Sequence, residues 1–70
     1  MPIRKGLIVS STAVIEYQAA SGVWVPFATC SKHPSSIKQM LDACLRSQSW
    51  ITKARALDAE TKQLIDISIK

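Results

Sequence analysis

One segment of the chain, residues 33–47, has the periodicity of an amphipathic helix, whereas the sequence on both sides of it alternates like β-strand. Its apolar residues recur at spacings of three and four and are predicted to form one buried stripe: Ile37, Met40, Leu41, Cys44 and Leu45. A single helix can cover only one face of a sheet. The other face must stay open, pair with a second copy of the chain, or bind something else, so we expect function to lie there.

The sequence also predicts how this helix begins and ends. Ser36 and Gln39 fit a capping box, so the helix is expected to begin at Ser35 or Ser36, just after Pro34. The polar residues 47–49 end the apolar stripe without a glycine cap. The side chains expected to face solvent are Lys38, Gln39, Asp42 and Arg46.

Before the helix, two segments are predicted to form a β-hairpin. Residues 7–17 alternate with their odd positions inward, and residues 19–22 form a turn in which Gly22 can take a positive φ. The second strand covers residues 22–29. Its inward side chains are predicted to be Val23, Val25 and Phe27, and its outward ones Trp24, Pro26 and Ala28. Pro26 lacks a backbone N–H, which predicts an exposed strand edge or a bulge there.

After the helix, residues 64–69 carry a strong strand pattern, with isoleucines alternating with Asp66 and Ser68. Residues 58–62 have the composition of a hairpin loop. Residues 50–57 are compatible with either helix or strand, and strand is favoured. In that strand the small residues Thr52, Ala54 and Ala56 form one face, and Ile51, Lys53, Arg55 and Leu57 form the other.

These elements predict an α+β fold of order β-β-α-β-β, a mainly antiparallel sheet with one helix packed on one face. The chain has 70 residues and is expected to form a single domain, 1–70. A core of this size supplies only about 3–5 kcal/mol of net stability, so a homodimer would be a natural source of further burial.

The composition limits the classes of partner only loosely. Nine lysines and arginines against five acidic residues give a formal net charge of +4, which attracts nucleic acid, anionic surfaces or acidic proteins. The basic residues are scattered, which favours a solvated basic surface over a dedicated binding site. No stretch approaches the ~18 apolar residues of a membrane span, and we predict a cytoplasmic protein with reduced cysteines.

No motif for catalysis, a cofactor or a metal is present. Cys30, His33 and Cys44 could be read as zinc ligands, but there is no fourth Cys or His and the spacing matches no common zinc module. The opening around Pro2 looks like the start of an oxalocrotonate-type tautomerase, yet strand sequence follows where those enzymes carry a long helix. We therefore expect no enzyme, no cofactor and no metal site.

Two groups of residues are candidate binding sites. Trp24, Lys53 and Arg55 are predicted to project from the face opposite the helix, where they would suit base stacking with phosphate neutralisation, or burial against a protein. Lys32 and Lys38 lie near the helix N-terminus, where unpaired N–H groups favour anions. An ordinary N-cap with solvated lysines is the alternative for that second group.

Three segments together carry a resemblance to a known class of protein: the Trp-bearing residues 22–27, the helix at 35–46, and residues 53–62 with their Asp-Ala-Glu-Thr turn. Over residues 22–66 the chain is similar to short accessory proteins of bacteriophages and other mobile elements, anti-CRISPR proteins among them. Family members often place Gly where this chain has Lys62. The resemblance implies a protein that binds and blocks a host complex, and it carries over no functional residue.

Two hypotheses follow for the function. The first is a non-enzymatic protein–protein interaction module, such as a phage-type inhibitor or regulator, that binds a protein partner through the exposed sheet face or the basic surface. The alternative is a small basic nucleic-acid-binding protein that uses Trp24, Lys53 and Arg55.

Overall fold

The computed structural model describes residues 12–70. The predictions for Pro2 and for the first part of the long strand, residues 7–11, lie outside the described residues. The described elements are β1 (Thr12–Gln18), β2 (Trp24–Ser31), α1 (Pro34–Ser47), β3 (Lys53–Asp58) and β4 (Leu64–Ile69). The predicted order β-β-α-β-β is confirmed.

The four strands form one sheet in the order β2-β1-β3-β4, and every neighbouring pair is antiparallel. Because β2 and β3 both run antiparallel to β1, α1 connects two strands that point the same way on either side of β1. The helix crosses over the centre of the sheet and packs on one face of it. The predicted α+β class, an antiparallel sheet with one helix on one face, is therefore correct.

The core lies between α1 and the sheet, where the strands contribute mostly small side chains. Ala13, Ala54 and Ala56 are fully buried beneath the helix together with Ile15. The predicted apolar stripe of α1 supplies much of the bulk: Ile37, Leu41, Cys44 and Leu45 are buried, and Met40 is partly buried against them. The sheet contributes small side chains where the helix contributes large ones, so the two surfaces pack closely.

Ile51 does not lie on the face that the strand pattern predicts for it. It comes before β3, in a turn where its N–H donates to the carbonyl of Gln48 at 3.2 Å, and its side chain is buried in the core. Alternation applies only within a strand, and β3 begins at Lys53. Thr52, predicted on the small face, also comes before β3 and is exposed. Within β3 the predicted faces are observed, with Leu57 opposite Val14 on the far face.

The helix begins earlier than the capping-box prediction. His33 is the N-cap residue, with φ −66° and ψ 133°, Pro34 is the first helical residue, and no side chain caps the N-terminus. Pro suits the first helical position because its fixed φ is already helical and its missing N–H would have had no helical partner. Ser36 therefore lies within the first turn, and the predicted capping box with Gln39 is wrong.

A β-bulge in β2 changes which side chains face the helix. Ile15 of β1 is opposite Ala28 and Glu16 is opposite Pro26, so Phe27 is an extra residue in the ladder. The predicted edge strand or bulge at Pro26 is confirmed on both counts. The prediction that Ala28 faces outward is wrong, because the bulge shifts the alternation by one and puts Ala28 on the same face as Ile15. Phe27, predicted to face inward, is 37% exposed and is not part of the core cluster.

The loop between β3 and β4 is built around two residues. Lys62 adopts a left-handed φ of 65°, and its N–H donates to the carbonyl of Asp58 at 2.9 Å. The Asp58 carboxylate accepts the N–H groups of Glu60 and Thr61 at 2.8 and 3.0 Å. A left-handed φ strains any residue with a Cβ, and Lys62 bears that strain here.

Replacing Lys62 with glycine should stabilise the protein. Glycine removes the left-handed strain, and after its greater flexibility in the unfolded chain is subtracted we expect a gain of about 0.5–1 kcal/mol in the free energy of unfolding. Urea denaturation followed by circular dichroism measures it. Lys62→Ala is the control, since it keeps the Cβ but loses the bond from Nζ to the Ala59 carbonyl. An equal increase in the free energy of unfolding for Lys62→Gly and Lys62→Ala would show that left-handed strain is not the cause.

Enlarging an alanine beneath α1 should destabilise the fold. Ala56 has no exposed surface, so Ala56→Leu forces the helix and sheet apart at a cost of about 1–3 kcal/mol. The same change at the exposed Ala20 is the control and should cost much less. The midpoint of urea unfolding at constant m-value reports the difference. An equal loss of stability at positions 20 and 56 would show that the buried alanines Ala13, Ala54 and Ala56 do not set the distance between α1 and the sheet.

Candidate interaction surface

The face of the sheet opposite α1, called the outer face below, carries the predicted residues Trp24 and Arg55. Their positions follow from the register, since residues directly opposite each other on neighbouring strands share a face. Glu16 of β1 is opposite Arg55 of β3 and opposite Pro26 of β2, and Gln18 is opposite Trp24. The alternation of β1 puts Glu16 on the face away from the buried Ile15.

Three of these side chains form a compact group, the Trp24 cluster, made of Trp24, Arg55 and Glu16. The Arg55 guanidinium carbon lies 4.1 Å from the centroid of the Trp24 ring. The same guanidinium donates to Oε1 of Glu16, from Nε at 2.9 Å and from Nη2 at 2.8 Å. Arg55 is thus held by an ion pair and a cation–π contact, and the cluster ties β2, β1 and β3 together across the outer face.

Sequence reasoning found two members of this cluster and missed the third. Glu16 carries the charge that neutralises Arg55, and its outward position follows from the alternation of β1. What the alternation could not supply was the register of β1 against β3, which alone places Glu16 opposite Arg55. Lys53, the third predicted residue, lies on the same face at the start of β3, exposed and opposite Ile69.

A strip of large apolar side chains extends the outer face along β4. The exposed fractions are 57% for Leu64, 40% for Ile65, 45% for Ile67 and 64% for Ile69. By register Ile67 is opposite Arg55 and Ile69 is opposite Lys53, so this strip continues directly from the Trp24 cluster. The isoleucine alternation predicts the strand but not that these residues belong to the site, because their face depends on pairing with β3.

The other two predicted residues, Lys32 and Lys38, lie apart from the Trp24 cluster. Lys38 is exposed on α1. Lys32 follows β2, and its Nζ pairs with Oδ2 of Asp58 at 2.5 Å. Asp58 is opposite Ala13 and so belongs to the helix side of the sheet. The structure therefore does not bring these lysines together with Trp24, and it gives Lys32 an internal partner.

The contacts of Asp58 lower its pKa from an ordinary value of 3.8 to about 2. The hydrogen bond from Lys32 is the largest cause, followed by the backbone N–H groups of Thr61 and Glu60. All three favour the charged carboxylate. Since the unfolded chain holds a proton on this group more tightly, the contribution of Asp58 to stability is complete above about pH 4 and is lost as the pH falls toward 2.

Asp58→Asn should flatten the acid dependence of stability. The amide keeps an oxygen for the Glu60 and Thr61 N–H groups but cannot change charge, so the free energy of unfolding should fall less steeply between pH 4 and pH 2 than in the wild type. Urea unfolding at several pH values in this range measures the slope. Asp42→Asn, on the exposed face of α1, is the control. If the free energy of unfolding of Asp58→Asn fell with pH as steeply as that of the wild type, Asp58 would not be the source of the acid dependence.

The remaining chemistry-bearing side chains form no further site in residues 12–70. Cys30 and Cys44 are both free, and burial raises the pKa of each thiol. No cluster of three or more Cys, His, Asp or Glu able to bind a metal occurs in this range, and no pocket is present there. Nor does this part of the chain contain a helix of the length and apolarity that crossing a bilayer requires.

The described residues thus define a small α+β domain, a four-stranded antiparallel sheet with one face covered by a helix and the other carrying an exposed, partly apolar surface. In comparisons with known proteins, no family model, no curated protein and no solved structure matched the chain.

Proposed function

We propose that this chain is a non-enzymatic protein–protein interaction module that binds its partner through the outer face of the sheet. The supporting observation is the strip of exposed isoleucines and leucine on β4, which continues from the Trp24 cluster. Contiguous exposed apolar surface with a polar margin is typical of interaction sites on small proteins. Trp and Arg are also the residues that most often dominate the binding energy of such surfaces.

The Trp24 cluster suits this role because it is organised before a partner arrives. The ion pair with Glu16 fixes Arg55, and Arg55 in turn supports the Trp24 ring from one side. A side chain that is already held loses less rotamer freedom on binding, about 0.5–1.5 kcal/mol less for each one fixed in advance. Because Glu16 already neutralises Arg55, the partner need not supply an acidic group.

The alternative, nucleic-acid binding by Trp24, Lys53 and Arg55, has less support from the same contacts. Phosphate binding needs cations that are free to release their counterions. Arg55 is paired with Glu16 and Lys32 with Asp58, while Lys53 and Lys38 remain exposed. A single aromatic residue is also a small platform for stacking bases.

The finer assignment rests on the sequence resemblance. We propose that the partner is a protein of a host complex and that the module acts as an inhibitor or regulator of the phage accessory kind. A cytoplasmic location is part of this proposal. The free state of both cysteines is compatible with a reducing compartment.

The two tryptophans of the chain offer a matched test. Trp50 is 53% exposed and contacts Tyr17, whose side chain packs against the core beneath α1, so Trp50 belongs to the helix side. In affinity capture from the cells that encode the chain, Trp24→Ala should reduce recovery of the partner about tenfold or more, as for an interface hot spot. Trp50→Ala should leave the recovery close to that of the wild type.

Both variants are first checked for folding by circular dichroism. A folded Trp24→Ala variant that recovers every partner of the wild type would refute binding through the outer face. Fluorescence anisotropy with labelled DNA and RNA at about 50 and 200 mM salt tests the alternative, which requires affinity that falls steeply with salt. Binding of that kind, lost in Trp24→Ala, would favour nucleic acid as the partner.

A further inference from the structure

The two edges of the sheet differ in how open they are. β2 forms one edge and is interrupted by Pro26, which lacks a backbone N–H, and by the adjacent bulge. β4 forms the other edge, and its residues after Ile65 are regularly paired with β3. An unpaired regular edge presents rows of N–H and C=O groups that can template a further strand. Among the strands of residues 12–70, only β4 offers such an edge.

The hydrogen-bond pattern shows which groups of β4 face outward. The N–H of Lys70 donates to the carbonyl of Thr52 at 2.8 Å, so the backbone N–H and C=O of Lys70 face β3. The direction of the backbone N–H and C=O groups alternates along an antiparallel ladder. Those of Ser68 therefore also face β3, while those of Ile67 and Ile69 face the open edge. In the single chain the Ile67 N–H donates to Oδ1 of the neighbouring Asp66 at 2.8 Å.

We propose that β4 pairs in antiparallel fashion with β4 of a second copy of this chain, with Ser68 on the two-fold axis. In this register Ile67 is opposite Ile69 of the second copy, and the outward backbone groups of both residues form hydrogen-bonded pairs. Asp66 then lies directly opposite Lys70 of the second copy, on both sides of the axis. This dimer is independent of partner binding through the outer face.

The side chains favour this register over those centred nearer the start of β4. If the strands shift so that Ile67 lies opposite Ile67 of the second copy, Ile65 enters the new ladder. Ile65 lies at the bulge in the β3–β4 pairing, so its pairing with the second copy would be irregular. A further shift in the same direction places Asp66 opposite Asp66, which is repulsive. The proposed register instead pairs opposite charges, places the small Ser68 side chains together, and aligns the isoleucines on the outer face.

Pairing of this kind closes after two copies. The two four-stranded sheets join through β4, and both ends of the combined sheet are then β2 edges blocked by Pro26 and its bulge. Within one chain α1 packs chiefly against β1, β2 and β3 and less against β4, so it lies toward the side of the sheet away from the junction. On pairing, Asp66 releases the Ile67 N–H to the second backbone and turns to Lys70 of that copy.

Charge exchange tests this register. Asp66→Lys and Lys70→Glu each place like charges opposite one another, and each should raise the dimer dissociation constant, measured by sedimentation equilibrium, about tenfold or more. The double variant carries both exchanges, restores the attraction, and should recover the wild-type dissociation constant. Lys62→Glu is the control, since it makes the same change of charge in the β3–β4 loop, away from the proposed axis.

A cysteine on the axis gives a second, direct readout. The Cα atoms of a non-hydrogen-bonded antiparallel pair lie about 4.5 Å apart, within the range of a disulfide. Ser68→Cys should therefore cross-link into a covalent dimer under mild oxidation much faster than Ser35→Cys, which is exposed on α1. The wild type, with only Cys30 and Cys44, sets the background rate.

Three results would overturn the proposal. One is a wild-type chain that stays monomeric at every concentration tested. Another is a dimer that is unaffected by Asp66→Lys and Lys70→Glu but is lost in Trp24→Ala, which would place self-association on the outer face. The third is a Ser68→Cys variant that cross-links no faster than Ser35→Cys. The first and third results leave the capture of a different partner protein through the outer face untouched, whereas the second would assign that face to self-association.

Discussion

The close approach of α1 to a row of alanines is the constraint on which the rest of the structure depends. Ala13, Ala54 and Ala56 line the helix side of the two central strands and are completely buried. Because these side chains are small, α1 can pack close to the sheet, and its apolar stripe supplies the larger core residues. Ile15 and Tyr17 of β1 still pack on the helix side, but the large apolar side chains of β3 and β4 lie on the other face, among them Leu57 and Ile67. The apolar character of the outer face follows from how the core is filled.

Two ion pairs act on opposite sides of this sheet. Arg55 and Glu16 join neighbouring central strands on the outer face, whereas Lys32 and Asp58 join the end of β2 to the end of β3 on the helix side. The second pair spans the connection that contains α1, and it also holds the start of the β3–β4 loop. Both pairs use cations that composition alone counts as part of a free basic surface. The number of basic residues therefore overstates how many unpaired cations this part of the chain offers to a partner, whereas the net charge, which already subtracts the acidic residues, is unaffected by the pairing.

Local periodicity was sufficient to predict the elements, and it failed where the position of a side chain depends on a second strand. The bounds of β4, the buried stripe of α1 and the small face of β3 all follow from spacing within one segment. The facing of Phe27 and Ala28 does not, because a bulge is defined by two residues opposing one. The pairing of Glu16 with Arg55 needs the register of two strands that are 39 positions apart at this point. The start of α1 was missed for a local reason, since Pro34 competes with a serine cap and its rigid ring prevails.

The bulge at Phe27 also has a consequence for how this chain can change its length. Pro26 and Ala28, on either side of it, already lie opposite two consecutive residues of β1, Glu16 and Ile15, so Phe27 is one residue in excess. Losing Phe27 would join the two halves into a regular ladder, and no other side chain would change its face. Losing one residue elsewhere in β1 or β2 would invert the remainder of the strand, exposing core residues and burying polar ones. This hairpin thus contains one position where natural variants can shorten by a residue and still keep the same core.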